Sequence, residues 1–231
     1  MARVGIIGDM HAPFTHPMYL RFCQDTFAQW NVTKVVSIGD IVDNHAHNFH
    51  EHDPDGRSPG DEVVLARKQL RSWKRCFPKL DVCIGNHDEL HYRKAKDAGV
   101  STAFIRPYKE VWETPNWNWQ FSHQIDGVLY THGTGNSGKD AAINLAIQKR
   151  QSTSIGHIHT YAGVKWHAND TSTIFGLNVG CGIDCRSYAF AYGRDFVVRP
   201  MLGCGIVLDG VYAYFEPMRC GPREKYNRSR A

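Results

Sequence analysis

The sequence predicts an α/β protein, and three observations carry that reading. A strand-helix-strand unit opens the chain, successive apolar strands each stop at a glycine step, and Asp-Gly turns punctuate the second half. Arg3 to Ile7 and Lys34 to Ile38 are short β-branched runs, each followed by Gly-Asp. Between them, Tyr19, Phe22, Cys23, Phe27 and Trp30 recur at helical spacing. Pro17 suits the start of that helix, because the N–H it lacks is one that a first turn leaves unpaired anyway. A second helix is expected from Gly60 to Cys76, buried through Val63, Leu70 and Trp73 and stopped by Pro78. Arg67, Lys68, Arg71, Lys74 and Arg75 then lie on its outer, solvated side. Leu80 to Ile84 supplies a third strand. Beyond Trp112 the expected elements are hairpins: Trp117 to Phe121 with Val128 to Thr131 across Asp126-Gly127, and Ile206 to Leu208 with Val211 to Phe215 across Asp209-Gly210. One helix, from about Ser137 to Arg150, interrupts them.

Composition bounds the rest. With 231 residues, 42% hydrophobic and 22% charged, the chain can bury one sizeable core, which excludes both a disordered chain and a disulfide-stapled mini-protein. One domain over 1–218 is expected, with a basic, flexible tail over 219–231 carrying Arg219, Arg223, Lys225, Arg228 and Arg230. The net charge of +4 suits anionic substrates and falls short of a protein that coats nucleic acid. Seven cysteines without a CxxC pair point to reduced, mostly buried thiols in a cytoplasmic protein, leaving Cys181 and Cys185 as the one pair to consider for metal or redox chemistry. Met1-Ala2-Arg3 runs straight into a strand, and no stretch approaches the ~18 apolar residues of a spanning helix, so neither export nor a membrane is expected. No obligate protein partner is evident.

The chemistry-bearing residues sit where the strands end. They are Asp9-x-His11, Gly39-Asp40-x-x-Asp43, Gly85-Asn86-His87-Asp88, His132-Gly133 and Gly156-His157-x-His159. Side chains from separate strand ends can converge on one site in an α/β sheet. Carboxylates, imidazoles and an amide oxygen form a mixed N/O donor set suited to Mn²⁺, Fe, Zn²⁺ or Ni²⁺ more than to Ca²⁺, and there are too many donors for one ion.

In that order, from Asp9 to His159, the motifs resemble those of the calcineurin-like metallophosphoesterase superfamily, whose pattern is DxH, GDxxD, GNHD or GNHE, an isolated His and GHxH. The resemblance implies a four-layer α/β/β/α sandwich of two mixed sheets. It implies two divalent cations, Mn²⁺ preferred, one held by Asp9, His11, Asp40 and His159 and the other by Asp40, Asn86, His132 and His157, with Asp40 shared. A hydroxide bridging the two ions would attack phosphorus in line. His87 would contact the phosphoryl oxygen or protonate the leaving alkoxide, with Asp88 fixing its tautomer. Asp43 would orient ligands, unless it serves as a structural cap. The family's Asn-Pro-Gly-Ser segment is matched only in part by Leu177-Asn178-Val179-Gly180.

Departures shape the expected substrate. Protein Ser/Thr phosphatases follow GDxxD with Arg-Gly, whereas this chain reads Asp43-Asn44-His45. A missing phosphate-clamping Arg favours phosphodiesters, of nucleotides or nucleic acid, over monoester dianions, although His45 or Lys139 could supply the charge. A broad phosphomonoesterase is the alternative, and a non-catalytic scaffold fits poorly with every ligand position filled. His45, His47, His50 and His52 form a His-rich tract, read as a solvated rim with His45 a substrate contact at most. Gly133 to Lys139 imitates a phosphate loop, but Asp140 stands where that loop needs a hydroxyl, so ATPase chemistry is excluded. The loop either opens a helix whose N–H groups face the substrate beside Asn136 and Lys139, or is simply flexible. Trp112, Trp117, Trp119 and Phe121 are read as hairpin core rather than a base-stacking platform.

Overall fold

Strand β1 (Arg3–Ile7) is buried on both sides, which explains its unbroken apolar run. Val4 and Ile6 face one hydrophobic cluster and Ile7 faces another. Gly5 lies on the second side, where an added Cβ would come within 2.8 Å of the Phe27 ring, so the helix above can sit close. The computed structural model describes residues 1–48, 56–184, 186–187 and 198–219. The expected tail beyond Arg219, together with His50, His52 and Cys185, lies outside the described residues.

The chain continues through α1 (Tyr19–Gln29), β2 (Lys34–Ser37), α2 (Pro59–Cys76), β3 (Leu80–Cys83), α3 (Leu90–Asp97), α4 (Tyr108–Val111) and β4 (Trp117–Gln120). It then forms β5 (Ser122–Ile125), β6 (Val128–Thr131), α5 (Ala141–Lys149), β7 (Thr153–Ile155), β8 (Gly163–Ala168), β9 (Thr173–Asn178), β10 (Gly203–Leu208) and β11 (Tyr212–Pro217). One sheet has six strands in the order β11-β10-β1-β2-β3-β4, and the other five in the order β5-β6-β7-β9-β8. β1 to β4 are mutually parallel, β10 is antiparallel to β1 and β11 antiparallel to β10 at the edge, and β6, β7 and β9 are parallel between antiparallel β5 and β8.

Three clusters define four layers. Tyr19, Cys23 and Phe27 of α1 pack with Leu70 and Trp73 of α2 over one face of the six-stranded sheet. Val4, Ile6, Val36 and Val207 meet Val128, Tyr130, Phe175 and Leu177 between the sheets. Ala141, Ala142 and Leu145 of α5 cover Ile155 on the far side. The structure therefore has the α/β/β/α sandwich implied by the motif order. Ser58 caps α2 by accepting the Asp61 N–H at 3.2 Å, and Pro59 occupies the first turn. Among the described residues no helix is long and apolar enough to cross a membrane.

Two expectations are corrected. Trp117–Gln120 does not form a hairpin with Val128–Thr131; it is the parallel edge strand next to β3. The partner across Asp126-Gly127 is Ser122–Ile125, with Ile125 opposite Val128 and Ser122 opposite Thr131. A two-residue turn, here with φ of 48° and 79°, requires the residue just before it to close the pair, so the segment adjoining Asp126 had to be the strand. Trp117 is buried as expected, whereas Phe121, where the chain crosses between sheets, is 62% exposed. The helix expected from Ser137 begins instead at Ala141. Gly133, Gly135 and Gly138 all have positive φ, and Asp140 pairs with Lys165, which keeps the preceding residues in a loop.

Candidate metal centre

Asp9, His11, Asp40, Asn86, His132, His157 and His159 follow the carboxyl ends of β1, β2, β3, β6 and β7, and the fold brings all seven together. The glycines of the motifs have a steric role here. A Cβ at Gly85 would lie 2.2 Å from Asp40 Oδ1, and one at Gly156 would lie 2.1 Å from Asp9 Oδ1. Only glycine lets these strand ends approach the carboxylates so closely. His11, Asp40 and His157 themselves have φ of 50°, 45° and 66°, the tight bends that turn their side chains into a common space.

Two donor clusters share Asp40: one of Asp9, His11, Asp40 and His159, the other of Asp40, His132 and His157, with donor atoms in each within 4.8 Å of one another. Asn86 joins the second through Oδ1, 2.9 Å from His132 Nε2. In the first, Asp9 Oδ2 accepts the His157 N–H at 2.8 Å and lies 2.9 Å from His159 Nε2, and His11 Nε2 lies 3.3 Å from His159 Nε2. Asp40 Oδ1 accepts the His87 N–H at 2.8 Å, while its Oδ2 lies 3.2 Å from His132 Nε2.

The hydrogen-bond network assigns the imidazole tautomers. His11 Nδ1 donates to Asp43 Oδ1 at 2.6 Å, His132 Nδ1 to the Ile38 carbonyl at 3.0 Å, and His87 Nδ1 to the Asp43 carbonyl at 2.7 Å. In the neutral form of each ring, Nε2 therefore carries the lone pair. At His132 that lone pair faces the oxygens of Asn86 and Asp40. Acceptors converging on acceptors in a buried space repel one another unless a cation or a proton lies among them. The residues fit a divalent cation on this ground.

The proton equilibria follow the same logic. Burial lowers the His132 pKa, but the Asp40 and Asp9 charges outweigh it and raise it to about 10. Burial pushes the Asp40 carboxyl up, yet His132 and His87 hold it well below the usual range. His11 and His157 are lowered, chiefly by burial. His87 is raised because Asp40 and Asp43 overcome its desolvation.

Asp88 differs from its expected place. It is fully buried and accepts the N–H groups of Gly85 at 2.9 Å and Val42 at 3.2 Å, so it pins the loop between two strand ends. Burial, then the Asp40 charge, raises its pKa to about 8. The atom that fixes the His87 ring is the Asp43 carbonyl, not Asp88. Asn44 adds a second tie, its Nδ2 donating to the His87 carbonyl at 2.8 Å.

Sequence reasoning missed Glu62. It is buried in the first turns of α2 and accepts the His45 and Ala46 N–H groups at 2.8 and 3.1 Å, anchoring the segment after Asp43. The available signal was a carboxylate on the inward face of an amphipathic helix. His45 Nδ1 lies 3.7 Å from Asp43 Oδ2, at the rim of the site. Lys139 lines a groove with His157, His159, Thr160 and Tyr161. Asn136 is tied to its own loop, its Nδ2 donating to the Gly133 carbonyl at 3.1 Å.

No family model and no curated protein matches the sequence. Solved structures similar to the chain include Vacuolar Protein Sorting 29 from Cryptosporidium parvum, 15% identical over 95% of this chain and 93% of that one with a TM-score of 0.45. They also include a metallophosphoesterase from Sphaerobacter thermophilus, 17% identical over 94% and 88% with a TM-score of 0.47. Vps29 from Chaetomium thermophilum is a further one, 10% identical over 96% and 100% with a TM-score of 0.39. The two mixed sheets with helices on their outer faces, and the convergence of the Asp and His motifs at the strand mouths, agree with the α/β sandwich expected from the sequence.

Proposed function

We propose that the protein is a metal-dependent phosphoesterase that hydrolyses phosphodiesters of the nucleotide or nucleic-acid class. The observation that carries this reading is the pair of inward-facing donor clusters joined at Asp40. Asp9, His11, Asp40 and His159 would hold one divalent cation, and Asp40, Asn86, His132 and His157 the other, Mn²⁺ being the preferred ion. Two such cations would polarise the phosphoryl oxygens and lower the pKa of a water enough to make it a nucleophile near neutral pH.

The protein's own residues do the rest. Asp43 and the Ile38 carbonyl keep His11 and His132 in the tautomer that offers Nε2 inward. Asp88 and Asn44 hold the loop that carries Asn86 and His87. The His87 side chain is 29% exposed, its Nδ1 is held by the Asp43 carbonyl, which leaves Nε2 for a substrate, and the neighbouring carboxylates favour its protonated form. In that form it donates its proton to the departing alkoxide oxygen. Asn44 where related phosphatases carry an Arg leaves a diester monoanion better matched than a monoester dianion. Lys139 beside His157 and His159 favours the second reading, a phosphomonoesterase, since it offers a cation near the site.

The test is hydrolysis of bis(p-nitrophenyl) phosphate and p-nitrophenyl phosphate, side by side, by chelator-stripped protein reloaded with Mn²⁺. Faster metal-dependent diester cleavage is expected. Faster monoester cleavage would reassign the substrate and point to Lys139 or His45 as the phosphate clamp, and no cleavage of either would count against the enzyme.

A further inference from the structure

Helix α2 is electrically lopsided. From Arg67 to Lys79 the sequence has six basic residues, and no carboxylate occurs between Glu62 and Asp81. Two of the six are spent on the fold: Arg67 Nε donates to the Val111 carbonyl and Lys74 Nζ to the Glu113 carbonyl, both at 2.7 Å. Lys68, Arg71 and Arg75 are exposed and spaced three and four residues apart, which puts them in one row on the helix surface. Among the described residues no carboxylate pairs with any of them. The row spans eight residues, about 10 Å along the axis, longer than one phosphate needs.

The row also lines a surface depression. Lys68, Arg71, Ser72, Lys74 and Arg75 border one groove, and Lys68 is shared with a second bordered by Pro13, Phe14, Leu65 and Gln69. The second groove reaches the loop just beyond His11, and the Thr15 hydroxyl, bonded to Gln69 Oε1 at 3.0 Å, fastens that loop to α2. A basic wall thus continues into a less polar floor of Pro13, Phe14 and Leu65 next to a segment that leaves the metal centre.

We propose that the Lys68, Arg71 and Arg75 face of α2, with the groove that runs to Pro13 and Phe14, binds the phosphate backbone of a single nucleic-acid strand. A repeating polyanion matches three cations in a row that have no carboxylate partner among the described residues, and its bases can lie on the less polar floor. This surface is separate from the metal centre and does not depend on the reaction proposed there.

The experiment is fluorescence anisotropy of a labelled oligothymidylate of about twenty nucleotides with the full chain in chelator, read across a salt series. Saturable binding is expected. The triple variant K68Q/R71Q/R75Q should bind about tenfold or more weakly and shallow the log K against log salt slope by roughly 2, and R71Q alone by about 0.7. A control, K96Q/K109Q/K149Q, removes the same charge from other exposed positions and should change little. Hydrolysis of a small chromogenic diester should be equal in the triple variant and the parent. Absence of binding, an equal loss in the control, or equally tight binding of a polyglutamate peptide would overturn the proposal. If the strand binds through this face while no phosphoester is cleaved, the groove stands and the enzymatic reading falls.

Discussion

His11 Nδ1 donates to Asp43 Oδ1 across 2.6 Å, with both side chains buried, and this bond decides which ring nitrogen His11 turns toward Asp9 and Asp40. A ligand held in one tautomer by a carboxylate is more basic and better oriented than a free imidazole. Asp43→Ala should therefore weaken metal binding by about 10–100-fold with all seven ligand residues intact. Asp43→Asn, which keeps an oxygen acceptor for Nδ1–H, should lose less. Metal titration by calorimetry checks this, and equal affinity in the parent and Asp43→Ala would show that the bond positions nothing.

Gly85 is predicted to be intolerant of any side chain. An added methyl would stand 2.2 Å from Asp40 Oδ1 and 2.5 Å from its backbone N, contacts that backbone rigidity prevents from relaxing cheaply. Gly85→Ala should lower stability by about 1–3 kcal/mol and displace the shared carboxylate. Thermal melting and metal content, measured together, report the two effects.

Tyr19 ties the carboxyl end of β1 to the start of β10, its antiparallel neighbour. Its hydroxyl accepts the Gly8 N–H at 2.9 Å and donates to the Gly203 carbonyl at 2.7 Å, all buried. Tyr19→Phe leaves both backbone groups without that partner and should cost about 1–3 kcal/mol. Because Gly8 precedes Asp9, the loss should also appear as weaker metal retention after chelator challenge.

These bonds illustrate what a sequence conveys and what it does not. The clustered Asp, His and Asn residues were legible because each sits at a glycine step after a short apolar strand, a pattern written in residue types. The partner of the His87 ring was not, since a backbone carbonyl of Asp43 carries no residue signature. Asp88, adjacent in sequence, was the natural candidate, yet its carboxylate turns to the Gly85 and Val42 N–H groups. β5 was missed for a related reason: Ser-His-Gln-Ile is polar, and its inward residue is His123, whose ring bonds to the Val82 carbonyl at 3.0 Å instead of filling an apolar core. The tryptophans beside it had the stronger strand propensity and belong to the other sheet.

His91 gives a pH signature away from the ligands. Its ring lies against Tyr92, Tyr108 and Trp112, and burial, then the His47 charge, lowers its pKa from 6.5 to about 4. The unfolded chain thus binds the proton more tightly than the folded one between those values. Stability from this group is complete above about pH 6.5 and falls as the pH drops toward 4, by on the order of 3 kcal/mol. Metal-free His91→Leu should show a shallower acid loss than the metal-free parent in urea melts at pH 7, 6 and 5. Parallel curves would mean that the ring titrates normally.

The central claim is that Asp40 joins two cation sites. Metal content after Mn²⁺ loading and gel filtration, by mass spectrometry, tests it in the parent, in Asp40→Asn and in His87→Ala. The account predicts two equivalents in the parent, two in His87→Ala with turnover of the chromogenic diester down by about 10²–10⁴-fold, and fewer than two in Asp40→Asn. No stable metal in the parent, or two equivalents in Asp40→Asn at unchanged affinity, would contradict it.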